Sequence, residues 1–434
     1  MHSHSSHRTR SQPSSPDCSS EESSKRILFG PLLDISDTDL LDLAVNIREE
    51  LFGQKTIFRT VAERITGTFN INHIIQLDSF RLVIRTPATG WGENFTPEAK
   101  MAIESHAATL KFVEKKTTIP APKLYKYDVT FENEIKAPYI CMSWLPGQTA
   151  DKNWWNQSRR AEEAHHRTLE TLAGFMAQLS PHTFDKIGSL YEDADGNFTV
   201  GPGVIGQVGP AGLPVVKKFG PFTKGRDFLD YDYVVPPPEE SKEPAATDEV
   251  MPLIIPLVPF QSVSEGFVLP KPDNDLQNIL VDHLGNVTGI LDWDNAVISP
   301  RCIGNCSYPG WLWRDFDPLL YNYLGDEKEN SPEQLSQYRN FYNEKLGDAL
   351  QRNSDWEWNE KSHIREAIWL AATDYTSRNE IVKKLMEEAL KAVVVDERIA
   401  RPHNVEEHLN LIQNDDYYID QWDDLRLRLK ELIG

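Results

Sequence analysis

The stretch Phe267–Asp294, FVLPKPDNDLQNILVDHLGNVTGILDWD, decides how this chain is read. Asp273 precedes Asn278 by five positions, and Asn278 opens the apolar run Ile279, Leu280, Val281. A polar turn, Asp282 to Asn286 with Gly285 inside it, leads to a second apolar run that ends at Asp292. Two short apolar runs around a polar, glycine-containing turn predict a β-hairpin. The hairpin puts Asn278 and Asp292 at the same end of two paired strands, with Asp273 in the loop just before.

An amide and a carboxylate at adjacent strand ends offer two oxygens to one hard cation, and magnesium takes one or two ligands from protein. A second carboxylate one loop away is placed to accept a proton from a hydroxyl. A metal-binding pair with a positioned base is the layout that phosphoryl transfer from a nucleoside triphosphate requires. An acidic surface hairpin is the alternative, and Asp-x4-Asn alone does not separate the two.

The neighbouring words are more specific: NILVD at 278–282, GNVTGILDWD at 285–294 and PRCIG at 300–304. They resemble the aminoglycoside phosphotransferase (phosphotransferase enzyme) family in its fungal-type branch, within the protein kinase-like superfamily. The resemblance runs over roughly residues 60–320. It implies an α+β, protein kinase-like two-lobed fold, with a small antiparallel sheet-plus-helix lobe and a larger, mainly helical lobe. It also implies ATP and Mg2+ as cofactors and a small-molecule hydroxyl as acceptor. Asp273 would be the catalytic base, and Asn278 and Asp292 would hold the metal.

Further residues follow from the resemblance. The run Phe80–Pro87 reads as a strand, and Arg85 stands where a kinase-like lobe puts its phosphate-binding lysine. Arginine keeps the charge and grips phosphate through two N–H groups; an exposed strand-end arginine is the alternative. The turn from Gly67 to Asn70 takes the place of a phosphate-covering loop, and a plain hairpin fits it equally. APYICMSWLPG at 137–147 is a strand running into a Pro-Gly turn. In this fold it connects the lobes, with Met142, Trp144 and Leu145 at the adenine edge.

Two positions depart from the family pattern. Thr96-Pro97-Glu98 starts a helix, and its Ser105-His106-Ala107-Ala108-Thr109-Leu110 puts His106 where an acid would pair with Arg85. Lys271 stands where the family commonly has histidine, two residues before the catalytic aspartate. The alternative is therefore a catalytically weakened, kinase-like pseudo-enzyme that binds nucleotide or acts as a scaffold. A protein kinase is disfavoured, because the chain has neither Asp-Phe-Gly nor Ala-Pro-Glu.

Composition sets the outer limits. The 434 residues carry a formal net charge of −21, which argues against nucleic acid as a partner. No apolar run approaches the roughly 18 residues of a membrane-spanning helix, so no membrane partner is expected. Cys18, Cys141, Cys302 and Cys306 lack zinc-site spacing and read as reduced thiols. Asp17, Glu21 and Glu22 argue against a mitochondrial presequence, and the expected location is cytoplasmic.

Residues 1–25 are rich in serine and histidine without apolar period and are expected to be disordered. Residues 26–54 read as a helical extension with Ser36 as cap, 55–147 as the nucleotide-binding lobe and 148–434 as the helical lobe with the catalytic loop. A proline-rich insert falls at about 234–247. The aromatic run after Pro309 either walls a substrate pocket or packs under the catalytic loop. Glu366 and Asp374 read as solvated helix faces.

Overall fold

The computed structural model describes residues 18–156, 158–234, 245–260, 266–392 and 404–434. The small lobe contains α1 (Cys18–Phe29), α2 (Asp37–Phe52), β1 (Arg59–Thr66), β2 (Asn70–Leu77), β3 (Phe80–Pro87), α3 (Pro97–Lys116), β4 (Leu124–Asp128) and β5 (Tyr139–Ser143). Ser36 Oγ accepts from the Asp39 N–H at 3.1 Å, and Gly53 ends α2 in the left-handed region at φ 63°. The strands form one antiparallel sheet in the order β1-β2-β3-β5-β4.

Side chains alternate across the sheet with period two. Ile71, Ile75, Leu82, Ile84 and Cys141 are buried with Leu40, Leu43, Ala44 and Ile47 of α2. A fully buried aliphatic side chain contributes about 1.5–3 kcal/mol, so α2 is a layer of this lobe and not an appended extension. Val83, Arg85, Ile140 and Met142 point the other way, and Ile140 and Met142 join α3 and the large core. The sequence reading had not singled out β1. It is mostly exposed along its length and therefore lacks an alternating signature. Residues 18–25, expected to be disordered, form the start of α1; residues 1–17 of that expectation lie outside the described residues.

The chain then crosses to the large lobe through residues 144–147. There follow β6 (Gln148–Thr149), α4 (Asp151–Trp154), α5 (Arg159–Ala177), β7 (Ser189–Glu192), β8 (Phe198–Gly201), β9 (Gly203–Val208), β10 (Pro214–Phe219), α6 (Gly225–Asp232) and α7 (Ala246–Ile254). Next come β11 (Ile279–Val281), β12 (Val287–Ile290), α8 (Pro332–Ala349), α9 (Ser362–Thr373), α10 (Tyr375–Ala392), α11 (Val405–Gln413) and α12 (Ile419–Ile433). This is an α+β, two-lobed, protein kinase-like arrangement. Of the expected insert, 235–244 lie outside the described residues, whereas Ala246 and Thr247 are buried in the first turn of α7.

The predicted hairpin is β11–β12, and β11 is the middle strand between β12 and β6. Pairing with β6 places the interlobe connector directly beside β11 and β12. The Asp282 carboxylate orders the turn by accepting from the N–H groups of Leu284 and Asn286, each at 2.9 Å. Gly285 has φ 92°, and a Cβ there would stand 2.3 Å from the Ala164 carbonyl oxygen of α5. Gly285→Ala is therefore expected to cost about 3 kcal/mol, through both backbone strain and overpacking. Urea unfolding should show a lower midpoint at unchanged slope; an unchanged midpoint would mean that the turn is free to move off α5.

Candidate active site

Asp273 and Asp292 both hold left-handed backbone, at φ 43° and φ 63°. A non-glycine residue there carries strain and persists only when its surroundings hold it. Two sets of hydrogen bonds do so. Asn278 Nδ2 donates to the Asp273 carbonyl at 3.0 Å and to its carboxylate at 2.9 Å. Lys271 Nζ donates to the carbonyls of Asp292 at 2.9 Å and Asp273 at 3.4 Å, and also to that of Pro272. One buried ammonium thus ties together the backbone of both aspartates. It lies 5.6 Å from the centre of the Trp293 ring. Burial lowers the Lys271 pKa to about 8, against the pull of Asp292, Asp273 and Asp294. Lys271 occupies the family's histidine position as a hydrogen-bonding post.

Arg85 reaches down from β3. Its Nη2 donates to Asp292 at 2.6 Å and to Asp294 at 3.3 Å. Asn70, at the start of β2, donates to the other side of the cluster, Asp294 Oδ2, at 2.9 Å. His106 is buried on α3. Burial first, and then the Arg85 charge, drive its pKa down to about 3, so it is a neutral imidazole. The counter-ions of Arg85 come from the DWD word of the large lobe and not from α3. Burial pushes the Asp294 carboxyl up, with Arg85 opposing and Asp292 adding to the rise. Asp292 is held well below the carboxylate range because Arg85 and Lys271 outweigh its burial.

The donors present fit magnesium. Asn278 uses its Nδ2 on Asp273, which leaves its amide oxygen; Asp292 keeps a side chain 34% exposed. One amide oxygen and one carboxylate match an ion that keeps its remaining positions for water and phosphate. Among the described residues no three His, Cys, Asp or Glu side chains are grouped to hold a metal.

The expected nucleotide residues fall in different places. Gly67 sits at the tip of the β1–β2 turn, its N–H donating to Asn70 O at 2.8 Å. Met142 pairs with Val83 on one side and Leu124 on the other. It lies in the middle of the ladder, one residue before the end of β5. Ser143 N–H is taken by Lys123 O at 2.9 Å. Backbone outside the ladder begins at Trp144, whose ring lies 4.8 Å from the Arg81 guanidinium. Leu145 packs on the hairpin: a Cβ at Gly289 would stand 3.2 Å from its Cδ1.

Other expectations are also resolved. Trp311 and Trp313 are buried, and Gly310 N–H donates to Asn274 O at 2.7 Å, so the aromatic run packs under the loop that carries Asp273. Glu366 is buried on α9, not solvated. Asp374 caps α10, accepting from the Thr376 N–H at 2.9 Å. The sequence reading gave no role to Asp294 or Asn70. The repeated acid in Asp-Trp-Asp was a usable signal for Asp294. Nothing local marks Asn70.

The two-lobed α+β arrangement is similar to that of aminoglycoside phosphotransferases. Among curated proteins, the chain is similar to altered inheritance of mitochondria protein 9, mitochondrial, of Candida tropicalis. The two are 30% identical over 161 residues, 35% of this chain and 25% of the relative. The Candida dubliniensis protein of the same name is 29% identical over 161 residues, with the same coverage. The chain thus spans about a quarter of the length of the curated relatives it matches. Among solved structures, it overlaps a candidate aminoglycoside phosphotransferase of Ralstonia eutropha with a TM-score of 0.49 at 14% identity, over 91% of this chain and 98% of that one. It overlaps the ternary complex of aminoglycoside phosphotransferase APH(4)-Ia with AMP-PNP and hygromycin B with a TM-score of 0.42 at 12% identity, over 90% and 97%. No family model matches the chain.

The relatives overturn the expected cytoplasmic location, since they are named as mitochondrial proteins. That expectation rested on an acid count near the start of the chain and on thiols. Cys141, Cys302 and Cys306 are free and buried, which reports shielding and not an address. No helix among the described residues is long and apolar enough to cross a membrane.

Proposed function

We propose that the chain transfers the γ-phosphate of ATP to a hydroxyl of a small molecule, in a mitochondrial setting. The observation that carries this reading is that Arg85 of the small lobe and Lys271 of the large lobe both bond Asp292, while Lys271 and Asn278 also bond Asp273. Arg85 of the small lobe bonds Asp292 of the large lobe at 2.6 Å, while Asn278 bonds Asp273 at 2.9 Å at the same strand ends. The guanidinium stands against Asp292 where a cation belongs, and the carboxylate stands against Arg85 where a phosphate belongs.

In the reaction, Arg85 turns from Asp292 to the phosphates and holds them through charge-assisted hydrogen bonds. Asp273 orients the acceptor hydroxyl and takes its proton as the oxygen bonds to the γ-phosphorus and the bond from that phosphorus to the bridging oxygen breaks, with ADP as the leaving group. Asn278 and Asp292 would hold magnesium, whose charge would offset that of the phosphates. Lys271 keeps the two aspartate backbones in register throughout. The rate comes from positioning and from charge complementarity.

One observation favours a second reading, a nucleotide-binding pseudo-enzyme. Arg85 has no acidic partner on α3 and is held instead by Asp292 and Asp294. An ATP-consumption screen of the full chain with magnesium against a library of hydroxylated metabolites separates the two. Acceptor-dependent consumption is expected. Magnesium-dependent ATP binding without turnover on any acceptor would select the pseudo-enzyme.

A further inference from the structure

The two carboxylate oxygens of Asp273 are treated differently by the loop that carries them. Oδ2 accepts from Asn278 Nδ2 at 2.9 Å and from Gln277 Nε2 at 3.3 Å. Oδ1 accepts from no group among the described residues, and it is open to solvent.

A short stretch of backbone builds this difference. Asp275 caps a single 3-10 turn, Leu276–Asn278, and its carboxylate accepts from the Leu276 N–H at 2.7 Å. Asp275 N–H donates to Asp273 O, and Asn278 N–H donates to Asp275 O, both at 2.9 Å. Leu276 is buried in the large core and anchors the turn. The side chains at 277 and 278 then reach back to one and the same oxygen. Gln277 is otherwise exposed, and its side-chain hydrogen bond among the described residues goes to Asp273.

We infer that Gln277 is a positioning residue for phosphate transfer: with Asn278 it holds Oδ2 of Asp273, so that Oδ1 is the oxygen that meets the acceptor hydroxyl. The inference rests on Asp273 being the base. The hydroxyl proton passes to Oδ1 as the acceptor oxygen bonds to the γ-phosphorus, and the bond from that phosphorus to the bridging oxygen breaks to release ADP. The terminal torsion of an aspartate is broad and roughly two-fold, so a carboxylate held at one point still swings. Two donors on Oδ2 restrict that swing. Asn278 has its amide oxygen directed to a second task, the metal. Gln277 has no such task, and its hold on Oδ2 is independent of the ion.

The test is steady-state turnover of the full chain, followed as Mg2+·ATP consumption on an acceptor from the metabolite screen. Gln277→Leu keeps the bulk and removes the donor. Its kcat is expected to fall about tenfold, the scale of a hydrogen bond to a charged group, with KM for ATP within about twofold. Gln277→Lys supplies a donor again and should recover most of the loss. In an Asp273→Asn background Gln277→Leu should cost no more than about twofold, because the two residues act as one unit. The inference is overturned if Gln277→Leu, folded by circular dichroism, turns over like wild type, or if its loss falls on KM for ATP. It is also overturned if Gln277→Lys recovers nothing, or if the loss recurs in full in the Asp273→Asn background. Asp273→Asn as active as wild type, or a wild type that turns over no acceptor, would overturn the phosphotransfer reading as well. Turnover that Asp273→Asn abolishes and Gln277→Leu leaves intact would sink this inference alone.

Discussion

Asp273→Asn is expected to slow phosphate transfer by about 10³-fold, the scale on which a positioned base contributes. An amide cannot take the acceptor's proton, so the loss falls on kcat. Affinity for Mg2+·ATP should stay within about twofold, because Asp273 is not placed among the phosphate or metal ligands. The fold should also survive. Asn278 Nδ2 keeps its bond to the Asp273 backbone carbonyl at 3.0 Å, and Lys271 keeps its bonds to the loop carbonyls. The check is steady-state turnover on an acceptor found by the ATP-consumption screen, together with calorimetric ATP binding. Activity within about tenfold of wild type would put the base elsewhere.

Lys271→Met is expected to do the widest damage, since it strikes stability and site together. Methionine fills similar space but donates nothing, and the carbonyls of Pro272, Asp273 and Asp292 lose their common donor. Leaving a buried acceptor unsatisfied costs about 1–3 kcal/mol, so a loss of about 3 kcal/mol or more in urea unfolding is predicted. The two aspartates sit in left-handed backbone and relax once released, so Mg2+·ATP affinity should fall as well. Lys271→His, which restores the family's residue, should recover part of both. A variant of wild-type stability and affinity would show that the lysine fills space and positions nothing.

What could be read from the sequence was whatever rests on local periodicity. The hairpin from Asn278 to Asp292 follows from two apolar runs and a glycine turn, and the helix starts at Ser36 and Thr96 follow from side chains that reach backbone three residues on. The edge strand β1 was missed because an edge exposed on both faces has no alternation to detect. The partner of Arg85 was missed for another reason. His106 correctly signalled that no acid comes from α3, but the replacement lies 207 positions away at Asp292, and no spacing rule spans that distance. That β4 flanks β5 on its second side and pairs with Met142 could not be read from the sequence, because the pairing depends on how the segments pack. The place of Asn70 beside Asp294 arises only from tertiary closure.

The most direct measurement is calorimetric titration of ATP into the full chain, with magnesium and then with EDTA, on wild type and on Asp292→Asn. Saturable one-to-one binding that needs magnesium and is lost in Asp292→Asn is predicted. Binding of equal strength in EDTA, or binding that Asp292→Asn leaves unchanged, would contradict a metal–nucleotide site at this cleft.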